Sequence, residues 1–174
     1  GMGVTYLDPG SSQMGKKESL GDSAKVLGRF FDGIEYRGFD QKVVEDLAKY
    51  SGVPVFNGLT DVDHPTQILA DKVTIEEHCH KPLNQVKVVF PGDVRNNMCY
   101  AWMIGAAKMG MHFVGLGPQE LAKEMDGALV KRVFATAREN GGLIEITDDM
   151  NSLKDADVIY GDIWASMGEE DLIP

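Results

Sequence analysis

The run Val86-Lys87-Val88-Val89-Phe90 constrains the fold more than any other stretch, because all but one of its residues are apolar and most are β-branched. A strand of that kind is buried on both faces, which is the condition of a parallel sheet covered by helices. The polar turn Pro91-Gly92-Asp93-Val94-Arg95-Asn96-Asn97 follows, and then a mostly apolar helix over 98–108 that Gly110 ends. Strand 112–116, helix 127–140, strand 143–147, a short helix near 150–154 and strand 158–160 continue the alternation. Strands alternating with helices in this way predict a doubly wound parallel sheet.

The first half repeats the theme. Val4-Thr5-Tyr6-Leu7 is a candidate short strand, and 8–17 reads as a loop. Ser19 followed by Asp22 gives a capping-box-like start to a helix with Leu20, Ala24, Leu27, Phe30 and Phe31 on one face. Strand 34–37 ends in Arg37-Gly38. Helix 40–50 turns Val43, Val44, Leu47 and Ala48 inward and stops at Gly52. Strand 53–56 leads through a polar loop into a helix over 65–78 that carries Ile68, Leu69, Val73 and Ile75, and Lys81-Pro82 breaks it. The expected fold is therefore α/β: two doubly wound parallel-sheet units, each incomplete, joined by a bridging helix, with the boundary between 1–80 and 81–174.

Composition matters here for what it excludes. A formal charge of −10 over 174 residues argues against a non-specific nucleic-acid binder, which needs a basic face. An anionic small ligand stays compatible, since helix ends and local Arg or Lys set the potential of a site. No apolar run approaches the roughly 18 residues needed to span a membrane. Cys79 and Cys99 offer neither a metal spacing nor a disulfide framework, so both are expected to be reduced thiols in a cytoplasmic protein. The run His78-Cys79-His80 has no second cluster to complete a metal site and reads as a solvated helix end.

In a parallel sheet, polar loops at strand C-termini share one edge, and ligands bind there. Arg37, the stretch from His64 to Gln67, the turn 93–97 and the segment 162–168 all fall at such ends. Pro65 suits a first helical turn, and His64 and Gln67, three apart, can face one point above that helix N-terminus, where backbone N–H groups favour an anion. Arg37 offers a planar donor fork for phosphate or carbonyl oxygen. The 92–97 turn lacks the glycine spacing of a dinucleotide fingerprint. Asn96 and Asn97 are candidates for one cap and one ligand contact. Asp162 can pair with an ammonium, and Ser166 and Met167 can meet an amino-acid carboxylate through hydroxyl and backbone groups.

Taken together, these motifs resemble the ornithine carbamoyltransferases of the aspartate/ornithine carbamoyltransferase family. The resemblance rests on Ser12-Gln13-Met14-Gly15-Lys16-Lys17, Asp32-Gly33-Ile34-Glu35-Tyr36-Arg37-Gly38, Gly52-Val53-Pro54-Val55-Phe56-Asn57-Gly58-Leu59-Thr60 and His64-Pro65-Thr66-Gln67. Gly92-Asp93 with Arg95-Asn96-Asn97, and Asp162-Ile163-Trp164 with Ser166-Met167-Gly168, extend it over nearly the whole chain. It implies transfer of a carbamoyl group from carbamoyl phosphate to the δ-amine of ornithine, giving citrulline and phosphate, with no cofactor and no metal. By the same resemblance Gln13, Arg37, His64 and Gln67 contact carbamoyl phosphate, with Arg37 and His64 catalytic, while Asn97, Asp162, Ser166 and Met167 hold ornithine. The resemblance also implies a homotrimer.

Two departures bear on this expectation. The family's Ser-Thr-Arg-Thr-Arg phosphate loop and its His-Cys-Leu-Pro loop have no counterpart in the sequence, which therefore reads as a middle fragment, inactive by itself. Asp63 stands where the family carries an aromatic before His-Pro, and a carboxylate beside an anion site weakens binding. The rival expectations are a sister transcarbamoylase acting on putrescine or acetylated ornithine, a non-catalytic phosphate or amino-acid binding module, and a regulatory subunit. Ser166-Met167-Gly168 favours ornithine among the amines.

Overall fold

The computed structural model describes residues 1–8 and 18–162. Helices and strands alternate through them as α1 (Leu20–Phe30), β1 (Ile34–Arg37), α2 (Gln41–Ser51), β2 (Val55–Leu59), α3 (Pro65–His78), β3 (Lys87–Pro91), α4 (Asn97–Met109), β4 (His112–Leu116), α5 (Gln119–Ala122), α6 (Gly127–Asn140), β5 (Leu143–Thr147) and β6 (Val158–Ile159). Single 3-10 turns at Leu83–Gln85 and Met150–Leu153 precede β3 and β6. Strands β1 and β2 pair in parallel, and a second parallel sheet has the order β5-β4-β3-β6. The α/β class with parallel sheets is as the alternation predicts.

Local chemistry sets the boundaries. Ser19, Asp40, Asn96 and Asp126 each accept a backbone N–H in the first turn of α1, α2, α4 and α6. Gly110 closes α4 in the left-handed region at φ 66°, and a Cβ there would lie 2.5 Å from the Asn140 carbonyl oxygen, so only glycine fits.

Several expectations are corrected. Residues 4–7 form no strand, having no partner strand among the described residues. Strand β2 runs to Leu59 rather than stopping at Phe56, because pairing with β1 continues through Asn57 to Leu59. Phe30, Leu69 and Val73 are exposed rather than inward, at 73%, 64% and 55%. Ala48 is exposed as well. Helix α5 falls in a stretch too short for its periodicity to be read.

The larger core lies around the second sheet, where Val86, Val88, Phe90, Trp102, Met103 and Phe113 are essentially solvent-free. Burying one such side chain contributes about 1.5–3 kcal/mol. Ile68 and Ile75 of α3 join this core, so α3 packs both on β2 of the first sheet and on α4 of the second half. The seam is close. A Cβ on Gly105 would sit 2.6 Å from Ile68 Cγ2, and buried Lys72 donates its Nζ to the Gly105 carbonyl at 2.9 Å. Burial, and then neighbouring Lys108, lower Lys72 to about 8.

The strand order reverses at β3. From β3 the chain moves through β4 to β5 on one side, while β6 lies on the other. The crevice at such a reversal, beyond the strand C-termini, is where open α/β sheets bind ligands. The turn after β3 and the segment after β6 both open onto it.

Candidate functional site

Thr60 organises the approach to α3. Its fully buried hydroxyl donates to Gln41 Oε1 at 2.7 Å and accepts from the Val62 and Asp63 amides at 3.3 and 3.1 Å. The loop after β2 is thereby fixed, and His64 arrives as the residue before Pro65 with its side chain making no cap to the helix. The ring is instead turned back on the loop, with Nδ1 3.3 Å from Thr66 Oγ1. Thr66 Oγ1 is also 3.2 Å from the Gly58 carbonyl oxygen, so one hydroxyl proton has two acceptors. When that proton points at Nδ1, the neutral ring carries its own at Nε2.

Half-burial, and next the charge of Arg37, push His64 below the ordinary histidine range, while Asp71, Asp162 and Glu35 pull the other way. The neutral imidazole is therefore favoured. Arg37 from β1, Asp71 from α3 and Asp162 from beyond β6 all lie within electrostatic range of its ring. Arg37 is exposed at the end of β1, where the register skips Gly58 of β2, so that Tyr36 pairs with Asn57 and Arg37 with Leu59. Gln67, one turn into α3, donates its amide Nε2 to Asp71 Oδ1 at 2.8 Å. Burial raises the Asp63 carboxyl above its usual range, against the opposing pull of the His64 amide and Lys108.

The second sheet meets this loop directly. Asn97 Nδ2 donates to the Thr60 carbonyl at 3.0 Å, joining the start of α4 to the turn that positions His64. Asn96 is the cap, accepting from the Met98 amide at 2.7 Å, whereas Asn97, expected to contact a ligand, is seen bonded to the first half of the chain. Arg95 is held between Asp93 and Glu124, each at 2.7 Å, and keeps Asp93 well below the usual carboxylate range. That pair stiffens the turn rather than facing the site. Tyr160 stacks on Phe90 at 6.1 Å and edge-on to Trp102 at 5.4 Å. Its hydroxyl is pushed up to about 12, first by burial and then by the Asp71 and Asp162 carboxylates.

Of the expected site residues, Arg37 and Asp162 lie within electrostatic range of His64, Gln67 is tied to Asp71 on α3, and Asn97 is tied to the Thr60 carbonyl in the loop before His64. Gln13, Ser166 and Met167 lie outside the described residues. Sequence reasoning missed Thr60, Thr66, Asp71 and Tyr160. Only the spacing of four between Gln67 and Asp71 on a helix carried a readable signal. Among the described residues no group of three or more His, Cys, Asp or Glu side chains is placed to hold a metal ion, and no helix is long and apolar enough to cross a membrane.

Comparison with known proteins places this geometry in context. Residues 1–77 match the family model described as aspartate/ornithine carbamoyltransferase, carbamoyl-P binding domain, and residues 84–173 match the one described as aspartate/ornithine carbamoyltransferase, Asp/Orn binding domain. The catabolic ornithine carbamoyltransferase of Clostridium perfringens is 60% identical over 172 residues, a match covering 98% of this chain and 51% of that protein. The catabolic ornithine carbamoyltransferase of Mycoplasma capricolum subsp. capripneumoniae is 57% identical over 170 residues, covering 97% and 54%. The solved ornithine carbamoyltransferase from Pyrococcus furiosus superposes with a TM-score of 0.86 at 44% identity, covering 95% of this chain and 52% of that one. The chain spans about half the length of the curated relatives it matches.

Proposed function

Because the chain belongs to the aspartate/ornithine carbamoyltransferase family, we propose that its protein transfers the carbamoyl group of carbamoyl phosphate to the δ-amine of ornithine, releasing citrulline and phosphate. One observation carries the proposal. The loop that delivers His64 is bonded through its Thr60 carbonyl to Asn97 at the start of α4, and Arg37 and Asp162 both lie within electrostatic range of the His64 ring, at the edge where open α/β sheets bind ligands.

The chemistry follows from the donors present. The amine nitrogen attacks the carbonyl carbon of carbamoyl phosphate, and negative charge gathers on the carbonyl oxygen. Arg37 and the Nε2–H of a neutral His64 are the donors for that oxygen. The C–O bond to phosphate then breaks and the amine loses its proton. Thr66 selects the required tautomer by donating to Nδ1. A neutral imidazole beside Arg37 adds a donor without adding a second full charge. Gln67 and Gln13 complete the carbamoyl-phosphate contacts in this proposal. Asp162 holds the α-ammonium of ornithine, with Asn97, Ser166 and Met167 on its other polar groups.

The division of labour runs between 1–80, for carbamoyl phosphate, and 81–174, for ornithine. Closure of one half on the other aligns the two substrates. We place the protein in the cytoplasm, where its two free cysteines stay reduced. A homotrimer is the proposed assembly, supported by apolar side chains left exposed on the first half, among them Phe30, Phe56, Leu69 and Val73.

The test expresses the whole reading frame and assays carbamoylated product from carbamoyl phosphate with ornithine, putrescine and acetylated ornithine in parallel. Citrulline from ornithine, well above both other products, is expected. Preference for either other amine reassigns the acceptor, and binding of carbamoyl phosphate without any product makes the protein a binding module.

A further inference from the structure

Asp71 is not among the residues assigned to either substrate, yet it touches the site from behind. Its Oδ1 accepts the Gln67 amide at 2.8 Å, one helical turn away on α3. Its Oδ2 is buried without a hydrogen-bond partner, and so is Trp102 Nε1 on α4. Tyr160, the residue two before Asp162, packs edge-on to Trp102, and its hydroxyl lies close enough to Asp71 to feel its charge. The carboxylate therefore sits between a carbamoyl-phosphate residue of the first half and the strand that carries Asp162.

A side-chain amide has a donor end and an acceptor end, and nearly the same shape either way round. A carboxylate only accepts, so it dictates which end of Gln67 faces it. With one Nε2–H fixed on Asp71, the amide is held with its acceptor end, Oε1, turned away from that carboxylate and open to a ligand. The carbamoyl group differs from other acyl groups by its –NH2, a pure donor that needs an acceptor.

Resting on the carbamoyl-transfer proposal above, we propose that Asp71 is a positioning residue: it fixes the amide orientation of Gln67 so that Oε1 accepts the carbamoyl –NH2 and the site tells carbamoyl phosphate from other acyl phosphates. Replacing Asp71 by Asn removes this control, because an Asn side chain can also donate and lets the Gln67 amide turn round. Two donors then face each other across the site.

The experiment measures binding by calorimetry on the protein from the whole reading frame, with carbamoyl phosphate and with acetyl phosphate, which carries a methyl group in place of the –NH2. In Asp71→Asn, carbamoyl-phosphate affinity is expected to fall about tenfold while acetyl-phosphate affinity stays unchanged. The charge-conserving double variant Gln67→Glu with Asp71→Asn puts an acceptor back and is expected to recover most of the ratio. Should Asp71→Asn fold poorly, Gln67→Met in the otherwise unchanged chain is expected to lower the same ratio. An equal loss for both acyl phosphates, an unchanged ratio, or a double variant no better than the single one overturns the proposal. Absence of citrulline from the unsubstituted protein overturns the functional proposal instead, and the binding ratio remains readable in that case.

Discussion

At His64 burial and Arg37 act in one direction, both disfavouring the imidazolium. Its folded-state value therefore lies below the unfolded value of about 6.5. The sign of the linkage follows: the folded state binds fewer protons in that window, so the stability due to this group is complete above about pH 6.5 and is lost as pH falls toward the lowered value. Protonation also turns Nδ1 into a donor and reverses the hydrogen bond, with Thr66 Oγ1 accepting while its proton goes to the Gly58 carbonyl. In the full-length protein, His64→Ala is expected to reduce turnover about a hundred- to a thousandfold, the usual cost of one donor to a developing oxyanion. A turnover loss of no more than about twofold would return His64 to the role of a polar residue beside a helix end. Asp63 is expected to work against the site. Its carboxyl is raised by burial, and its charge lies next to the residue proposed to meet the anion. Asp63→Asn should tighten carbamoyl-phosphate binding about threefold, as measured by titration at low salt, and weaker binding would show that its charge serves another purpose.

At the scale of elements, α3 carries the connection between the sheets. Its seam with α4 depends on the absence of a side chain at position 105, where Ile68 and Lys72 cross closely. Gly105→Ala overpacks that seam, which costs about 1–3 kcal/mol, and the unfolding midpoint is expected to drop about 3–10 °C with little change in helix content. An unchanged midpoint would mean that α3 rides loosely on α4. The elements themselves were largely legible in the sequence, because buried parallel strands such as Val88–Val89–Phe90 and caps such as Asp40 and Gly110 are local signals. Their failures are equally physical. Strand β2 gains Asn57 to Leu59 only through pairing with β1, which no local pattern encodes. Leu69 and Val73 belong to an apolar helix whose buried face is chosen by α4, not by its own periodicity. The site divides in the same way. Arg37, His64 and Asp162 could be placed because strand ends and a Pro-started helix mark them. Thr66 and Asp71 could not, since their roles exist only through the Gly58 carbonyl, the His64 ring and the Tyr160 hydroxyl, brought together by the fold.

At the scale of the molecule, the exposed apolar side chains of the first half and the junction of the two halves set the remaining expectations. Self-association is expected from Phe30, Phe56, Leu69 and Val73, with a trimer as the species. Sedimentation velocity at tens of micromolar should show it, and monomer alone would contradict it. The junction itself is made by Asn97 on the Thr60 carbonyl, by Lys72 on Gly105 and by the packing of Ile68 and Ile75 into the second core. In the proposed reaction it lets two loops from different sheets act together while each binds its own substrate. Asp162→Asn tests that most directly. The substitution keeps the shape and removes the charge proposed to hold the ornithine ammonium. In the full-length protein, titrated separately with each substrate, ornithine affinity is expected to fall about ten- to a hundredfold, while carbamoyl-phosphate affinity stays within about twofold. An equal loss for both substrates would contradict a site divided between the two halves.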